Sequence, residues 1–483
     1  MRYRLRKTRT LLVIAFLALA SVVIAPSAKA APSVTSTPVK VSVGGKSFTV
    51  QTVTVDVKDP SLEVVPVLAE GGIGHDEPLS SIVQREQALA AVNGTFFNAY
   101  EKNNYIRYPN GALLADGELI HSGDNQMLVI GPDKVPDIRK LSLGVALKVA
   151  HDKDTYTVRP WGVNKYYGED NHDQTIWFTD DFGGWIGFDR GTKIVVEAGR
   201  ITRITPDAVP VPAGGNVLFL GDSANNRTHV LPRLHVGDSV IVEQQTSGEG
   251  EDVQSDGWLA ALGAGPRLVT DGAVDVDFDR DGFDDPRITQ SAAVRSFVGV
   301  DGEGRLVFGT VSTATIRELA GVAVQLGLTK AMNLDGGASS GLYADGKMLT
   351  APGRSLSNAL IVRRTASPKV QIELQGKLLT DFKGRIVQET TLVPIRPFIT
   401  ALKADFQWDA GAREATIAYG GMMLKLRDGQ TEARVNDKQV ALPVPLSILE
   451  DSRMYVPLRF VSEALHGKVE WNQELYRAII DLP

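Results

Sequence analysis

Residues 316–341 read IRELAGVAVQLGLTKAMNLDGGASSG, and two periodicities meet inside them. Ile316, Leu319, Ala320, Ala323 and Val324 recur at helical spacing as far as Leu326. The apolar run that follows reads as a buried strand, ending at Asn333 and Asp335 and opening into two glycines and two serines. Outward from this stretch, only Leu79 to Leu89 reads as a second helix. Val39 to Val57 alternates in Val, Thr and Phe like a hairpin turning at Gly44-Gly45. Most of the chain to residue 364 continues in short β-branched runs broken by Gly, Asp and Pro. Many strands with few helices give an α+β domain at 39–364, built on a large, mostly antiparallel sheet. A Pro-bearing linker at 365–369 ends it.

The remaining segment, 370–483, is β-rich and contains an internal repeat. Val393-Pro394-Ile395-Arg396, Ala401-Leu402 and Trp408-Asp409 recur 63 residues later as Val456-Pro457-Leu458-Arg459, Ala464-Leu465 and Trp471-Asn472. Each copy reads as a strand, a Pro-led helix and a strand carrying Trp. This segment resembles the copper amine oxidase N-terminal-like, or stalk, domain of exported Gram-positive proteins. No copper is expected, because His466 is the segment's only histidine and the chain has no Cys. The resemblance implies an accessory module associated with a cell-wall polymer.

At the N-terminus, Arg2, Arg4, Arg6, Lys7 and Arg9 precede an apolar run from Leu11 to Ile24 and the small-residue site Ala28-Lys29-Ala30. Residues 1–30 therefore read as a secretory signal peptide, followed by a flexible leader at 31–38. No transmembrane anchor is expected after processing, so the protein is expected to be secreted or wall-associated. Removing 1–30 takes away six basic and no acidic residues, and the net charge moves from −6 to −12. A surface this acidic makes nucleic acid an unfavourable partner. The absence of cysteine excludes thiolate zinc sites, Cys nucleophiles and disulfide staples.

Three stretches could carry chemistry. At 331–341, Asp335 and the serines lie beside glycines that let a ligand approach the backbone; the bland alternative is a strand-to-turn junction capped by the Asp. Asn93-Gly94-Thr95-Phe96-Phe97 closes an apolar strand and reads equally as a hairpin turn over a Phe core. Arg295 interrupts the apolar run from Ala293 to Val300 and needs an anionic partner, either a structural carboxylate or a ligand.

Together with Gly265-Pro266 and Arg354-Ser355-Leu356-Ser357-Asn358, these stretches, in this order, resemble the phosphodiester glycosidase family between about residues 88 and 363. The resemblance implies hydrolysis of a glycosyl-1-phosphodiester in a cell-surface glycan or teichoic-type polymer. It implies catalytic roles for Asp335, Asn333 and Arg295, and substrate contacts from Asn93, Gly94, Phe97, Gly336, Gly337, Ser339, Ser340, Arg354 and Asn358. Ala338 stands where the family has a third glycine, so the pocket floor is expected to differ in shape. The alternative is a non-catalytic wall or exopolysaccharide binding protein using the same pocket as a sugar-phosphate receptor.

Finally, Asp277, Asp279, Asp281 and Asp285 occupy positions one, three, five and nine of a calcium-loop pattern, with Phe283 at position seven and Gly282 at six. Ile288 at position twelve supplies no carboxylate, so a structural Ca2+ of modest affinity is the expectation.

Overall fold

The valine-rich N-terminal hairpin forms as its alternation predicts, with Val34–Val43 paired antiparallel to Lys46–Val55 across Gly44-Gly45. The strand begins at Val34, inside the segment expected to be a leader. It lies at a sheet edge, where Ser, Thr and Pro38 are tolerated and few apolar residues are needed. The computed structural model describes residues 33–249, 257–365 and 369–482, except 388, 410, 437, 446, 449–453 and 474. The expected signal peptide and the centre of the linker lie outside the described residues.

The region is mostly antiparallel β, as expected, with its strands divided among three larger sheets and a two-stranded one, since a sheet of so many strands curls or splits as its twist accumulates. The first is wholly antiparallel, in the order Val34–Val43, Lys46–Val55, Leu306–Ala314, Ala293–Asp301, Leu328–Asn333, Arg267–Thr270, Ala273–Val274. The helix Ile316–Gln325 packs on it through Ile316, Leu319, Ala320, Val322 and Ala323, against Phe48, Leu268, Phe297 and Ala331. Its start is fixed by a capping box between Thr315 and Glu318. The second sheet has five strands, with Ala88–Asn93 between Leu342–Ala344 and Asn358–Arg364. The helix that packs on it spans Leu79–Arg85, shorter than expected, because the chain reverses at Gln87 (φ 50°) and enters the next strand. A twelve-stranded sheet completes the region, and Val298, Met332, Val92, Leu360, Leu128 and Leu262 from the three sheets share one core.

The C-terminal repeat is realised as Thr390–Pro394, Ile395–Ala401, Asp405–Asp409 and as Met454–Pro457, Leu458–Ala464, Lys468–Asn472. Pro394 and Pro457 both stand at the helix caps. Trp408 packs on the core of this segment, whereas Trp471 is partly exposed and meets Tyr476 edge-on at 5.0 Å. That core is drawn from residues 370–482 alone. Contacts to the rest include Lys369 with Asp116 (2.5 Å) and Gln371 with the Pro132 carbonyl.

Because each part has its own core, removing residues 370–483 is expected to leave a folded domain with unchanged turnover of a small substrate. A truncated protein that is folded by circular dichroism but inactive contradicts this.

Candidate functional site

Three chain segments that each end or interrupt a buried strand converge at one point. The Asn93 side chain holds them: its Nδ2 donates to the Asp335 carbonyl (2.6 Å), while its Oδ1 accepts from Ser296 Oγ (2.7 Å) and the Gly341 amide (3.0 Å). The Leu334 amide donates to the Ser296 carbonyl (2.9 Å) and the Asp335 amide to the Gly94 carbonyl (3.1 Å). Gly94 is required here, because a Cβ would stand 2.0 Å from Asn358 Oδ1. That same Oδ1 accepts from the Thr95 amide (2.9 Å).

The Asp335 side chain is aimed into a cleft of about 900 Å³ lined also by Arg295, Phe96, Phe97, Tyr100, Phe283, Gly336, Gly337, Ser339 and Arg354. Burial pushes its carboxyl up to about 6, against the lowering effect of the Ser339 hydroxyl, the Gly336 amide and the Arg354 charge. Arg295 is 3% exposed. Its Nε donates to the Ala314 carbonyl (3.1 Å) and its Nη2 to the carbonyls of Ser291 (2.5 Å) and Arg287 (3.3 Å). Among the described residues no carboxylate lies within ion-pair reach of it, and burial pulls its pKa down. Nη1 is left for the cleft, where it lies about as close as an ordinary contact to any Cβ placed on Gly336 (3.5 Å). Arg354 also lacks a carboxylate partner among the described residues and rests over the Tyr100 ring at 5.3 Å. Tyr100 itself is 77% exposed at the rim.

Of the residues expected in the site, Asp335, Arg295, Phe97, Gly336, Gly337, Ser339 and Arg354 line the cleft; Asn333, Asn93, Gly94, Ser340 and Asn358 do not. Asn333 is wholly buried and braces the strand end, its Nδ2 donating to the Gly265 (2.9 Å) and Leu334 (2.6 Å) carbonyls, while its Oδ1 has no hydrogen-bond partner among the described residues. Asn93 and Asn358 brace the turn in the same way, and Ser340 Oγ is spent on the Val294 carbonyl (3.1 Å). The amides of Gly336, Ser339 and Ser340 are spent on Asp335 Oδ1 and the carbonyls of Gly336 and Gly337, so they are not the anion-binding donors expected of a glycine-rich turn. The fork of Arg295 is likewise half committed to backbone carbonyls. Tyr100, Arg287 and Lys140 also line the cleft, though the sequence did not single out their side chains.

The expected calcium loop folds as two capped helical turns, Phe278–Asp281 and Pro286–Thr289. Asp277 caps the first and Asp285 the second; Asp285 also grips Arg287 (2.6 Å). Gly282, at φ 76°, ends the first turn. Asp281 points inward, accepting from Gln126 Nε2 (2.9 Å), the Arg267 amide (2.8 Å) and Arg280 Nε (2.9 Å). Phe283 turns its ring to Phe96 (5.8 Å) in the cleft wall. No three of Asp277, Asp279, Asp281 and Asp285 bring ligand atoms together around one point. The Asp277, Asp281 and Asp285 carboxylates accept from amides or arginines, and the loop closes one side of the cleft.

Comparison with known proteins fits this layout. Residues 190–363 match the family model described as phosphodiester glycosidase, and residues 373–480 match that of the copper amine oxidase N-terminal domain. No curated protein matches the sequence. Among solved structures, a hypothetical protein from Synechocystis is 22% identical, with a TM-score of 0.58 over 69% of this chain. This chain spans 62% of that protein's length. A Burkholderia pseudomallei K96243 protein described as "Putative exported protein" is 20% identical, with a TM-score of 0.54 over 65% of this chain and 74% of that one. The zebrafish N-acetylglucosamine-1-phosphodiester alpha-N-acetylglucosaminidase catalytic domain, auto-inhibited by its pro-peptide, is 14% identical with a TM-score of 0.36, covering 70% and 86% of the two chains. The first two likenesses establish a shared fold; the third is too loose to carry an argument. No helix among the described residues is long and apolar enough to cross a membrane.

Three outcomes follow from this geometry. Asn93→Ala strands three buried partners, each costing about 1–3 kcal/mol, so it is expected to lower stability by about 3 kcal/mol or more in urea unfolding. Asp335, raised from 3.8 to about 6, favours folding only while protonated. Asp335→Asn should therefore be more stable than the parent at pH 8, by at most about 3 kcal/mol at 1.36 kcal/mol per pKa unit. The gain should shrink as pH falls through 6 and vanish below about 4, and a gain independent of pH rules out the burial account. Millimolar calcium, compared with chelator, is expected to leave the melting temperature unchanged; a rise means that the 277–285 loop re-forms around an ion.

Proposed function

We propose that the protein hydrolyses a glycosyl-1-phosphodiester in a cell-surface glycan or teichoic-type polymer, outside the cytoplasm and in a Gram-positive type of envelope. The observation that carries this reading is the pairing, in one cleft, of a carboxyl raised to about 6 with a buried guanidinium that has no carboxylate partner among the described residues. A phosphodiester anion supplies the charge that Arg295 lacks, through Nη1 on one side of its plane. Arg354, at the same rim as Tyr100, adds a second positive group and an aromatic face for a sugar ring. The phosphodiester glycosidase match over residues 190–363 supports the reaction class.

In the proposed reaction Asp335, ionised above pH 6, takes a proton from water. The water oxygen bonds to the anomeric carbon, and the bond from that carbon to the phosphate oxygen breaks with its electron pair. The products are a free sugar and a phosphomonoester, and the latter's growing charge is met by Arg295. The C-terminal repeat segment then holds the enzyme to its polymer, which accounts for a cleft built entirely from residues 95–354.

The test is turnover of a chromogenic sugar-1-phosphodiester. The rate should rise with pH through about 6 and level off above it, and Asp335→Asn should lose several orders of magnitude in kcat while still binding substrate. Arg295→Lys should raise KM for phosphodiesters, and a loss of stability is expected with it because the guanidinium that serves four backbone carbonyls is gone. Binding without any turnover by the parent protein identifies a sugar-phosphate receptor instead, and a fully active Asp335→Asn removes this residue from the reaction.

A further inference from the structure

The histidines are scattered in sequence, yet the fold brings two of them to one carboxylate far from the cleft. In the ladder between Pro136–His151 and Ser239–Gly248, Ala150 faces Ser239, so the next step outward sets His151 opposite Asp238. A tight turn then folds His235 back over the same carboxylate: the His235 amide donates to Asp238 Oδ2 (2.9 Å) and the Asp238 amide to the His235 carbonyl (3.1 Å). His151 Nδ1 lies 2.6 Å from Asp238 Oδ1 and His235 Nδ1 lies 3.6 Å from Oδ2. The two rings stack with centroids 4.2 Å apart and planes inclined by 28°. Each residue thus offers one ligand atom within 4.8 Å of the other two. The Asp238 side chain is 3% exposed while the imidazoles are half exposed, so the acid is anchored and the nitrogens are open to solvent.

Stacked imidazoles over a single buried acid are poorly served by protons alone. If both rings were charged they would repel at this distance, and one carboxylate would have to balance two cations. The Asp238 carboxylate instead gathers both rings on its two oxygens, His151 on Oδ1 and His235 on Oδ2. Two imidazole nitrogens and a carboxylate oxygen make a donor set for a borderline-soft cation. Metal–ligand bonds of about 2.0–2.2 Å in a tetrahedron place ligand atoms about 3.3–3.6 Å apart. The His235 separation already meets this, and the His151 hydrogen bond opens by under about 1 Å as the ion replaces its proton.

We propose that His151, His235 and Asp238 form a binding site for a divalent first-row transition ion of the zinc class, with its remaining position open to water. Calcium is a poor fit, because it takes six to eight oxygen ligands. The ion clamps the end of the long 136–151 strand to the 235–238 turn, and none of its three ligands lines the cleft.

The test is isothermal titration of the full chain with zinc chloride at neutral pH, after treatment with chelator. Zinc should bind this site and raise the melting temperature, and calcium should do neither. His151→Ala and His235→Ala should each weaken zinc binding at least tenfold, and the double variant should abolish it at this site. His172→Ala, which breaks a separate pair with Asp222 (2.6 Å), should leave this binding unchanged. Because both replaced rings are half exposed, the variants should keep the parent's circular dichroism. The proposal is overturned if the full chain takes up no zinc, or if a folded His151→Ala/His235→Ala variant binds it as the parent does.

Discussion

The Asn93 side chain is the constraint on which the rest of the cleft depends. Its amide joins the end of a strand in the five-stranded sheet to the Ser296 strand and the Asp335–Gly341 turn of the seven-stranded one. An asparagine suits this position because it donates and accepts from one rigid plane, so a single buried side chain satisfies groups on both sides. Gly94 leaves room for the Asn358 side chain, and its carbonyl accepts from the Asp335 amide. Without this clamp the two sheets could still share their core, but nothing would fix the Asp335 carboxylate relative to Arg295.

Electrostatics then distinguish this cleft from an ordinary crevice. A guanidinium buried among carbonyls and lacking an anionic partner is costly, and a bound anion relieves that cost. The neighbouring Asp335 is raised by the same burial, which makes its carboxylate a stronger base toward water than an ordinary Asp while still ionised above about pH 6. Two acids of the cleft wall are held by arginines: Asp281 by Arg280, with two further donors, and Asp285 by Arg287. The strongly acidic chain thus keeps an anion-tolerant interior.

Much of this was legible in the sequence, and the limits have physical reasons. The helix at 316, the strand before Asp335 and the repeat with its prolines follow from periodicity and local turn chemistry, whereas the expectation that Asp335 and Arg295 share one site rests on the resemblance to the phosphodiester glycosidase family. The asparagines were legible as special but not as braces, because whether an amide faces a ligand or a backbone carbonyl is decided by which sheets pack together. The 277–285 spacing showed carboxylates without showing their partners: Gln126, Arg267 and Arg280 reach Asp281 through tertiary contacts. His151 and His235, 84 positions apart, meet only through strand register, which no local pattern encodes.

The central claim is that water attacks the anomeric carbon while Arg295 retains the phosphate. Hydrolysis of a sugar-1-phosphodiester in oxygen-18 water, with the products analysed by mass spectrometry, tests it most directly. The account predicts that the label enters the sugar hydroxyl and that the phosphomonoester stays unlabelled. Label in the phosphate contradicts it.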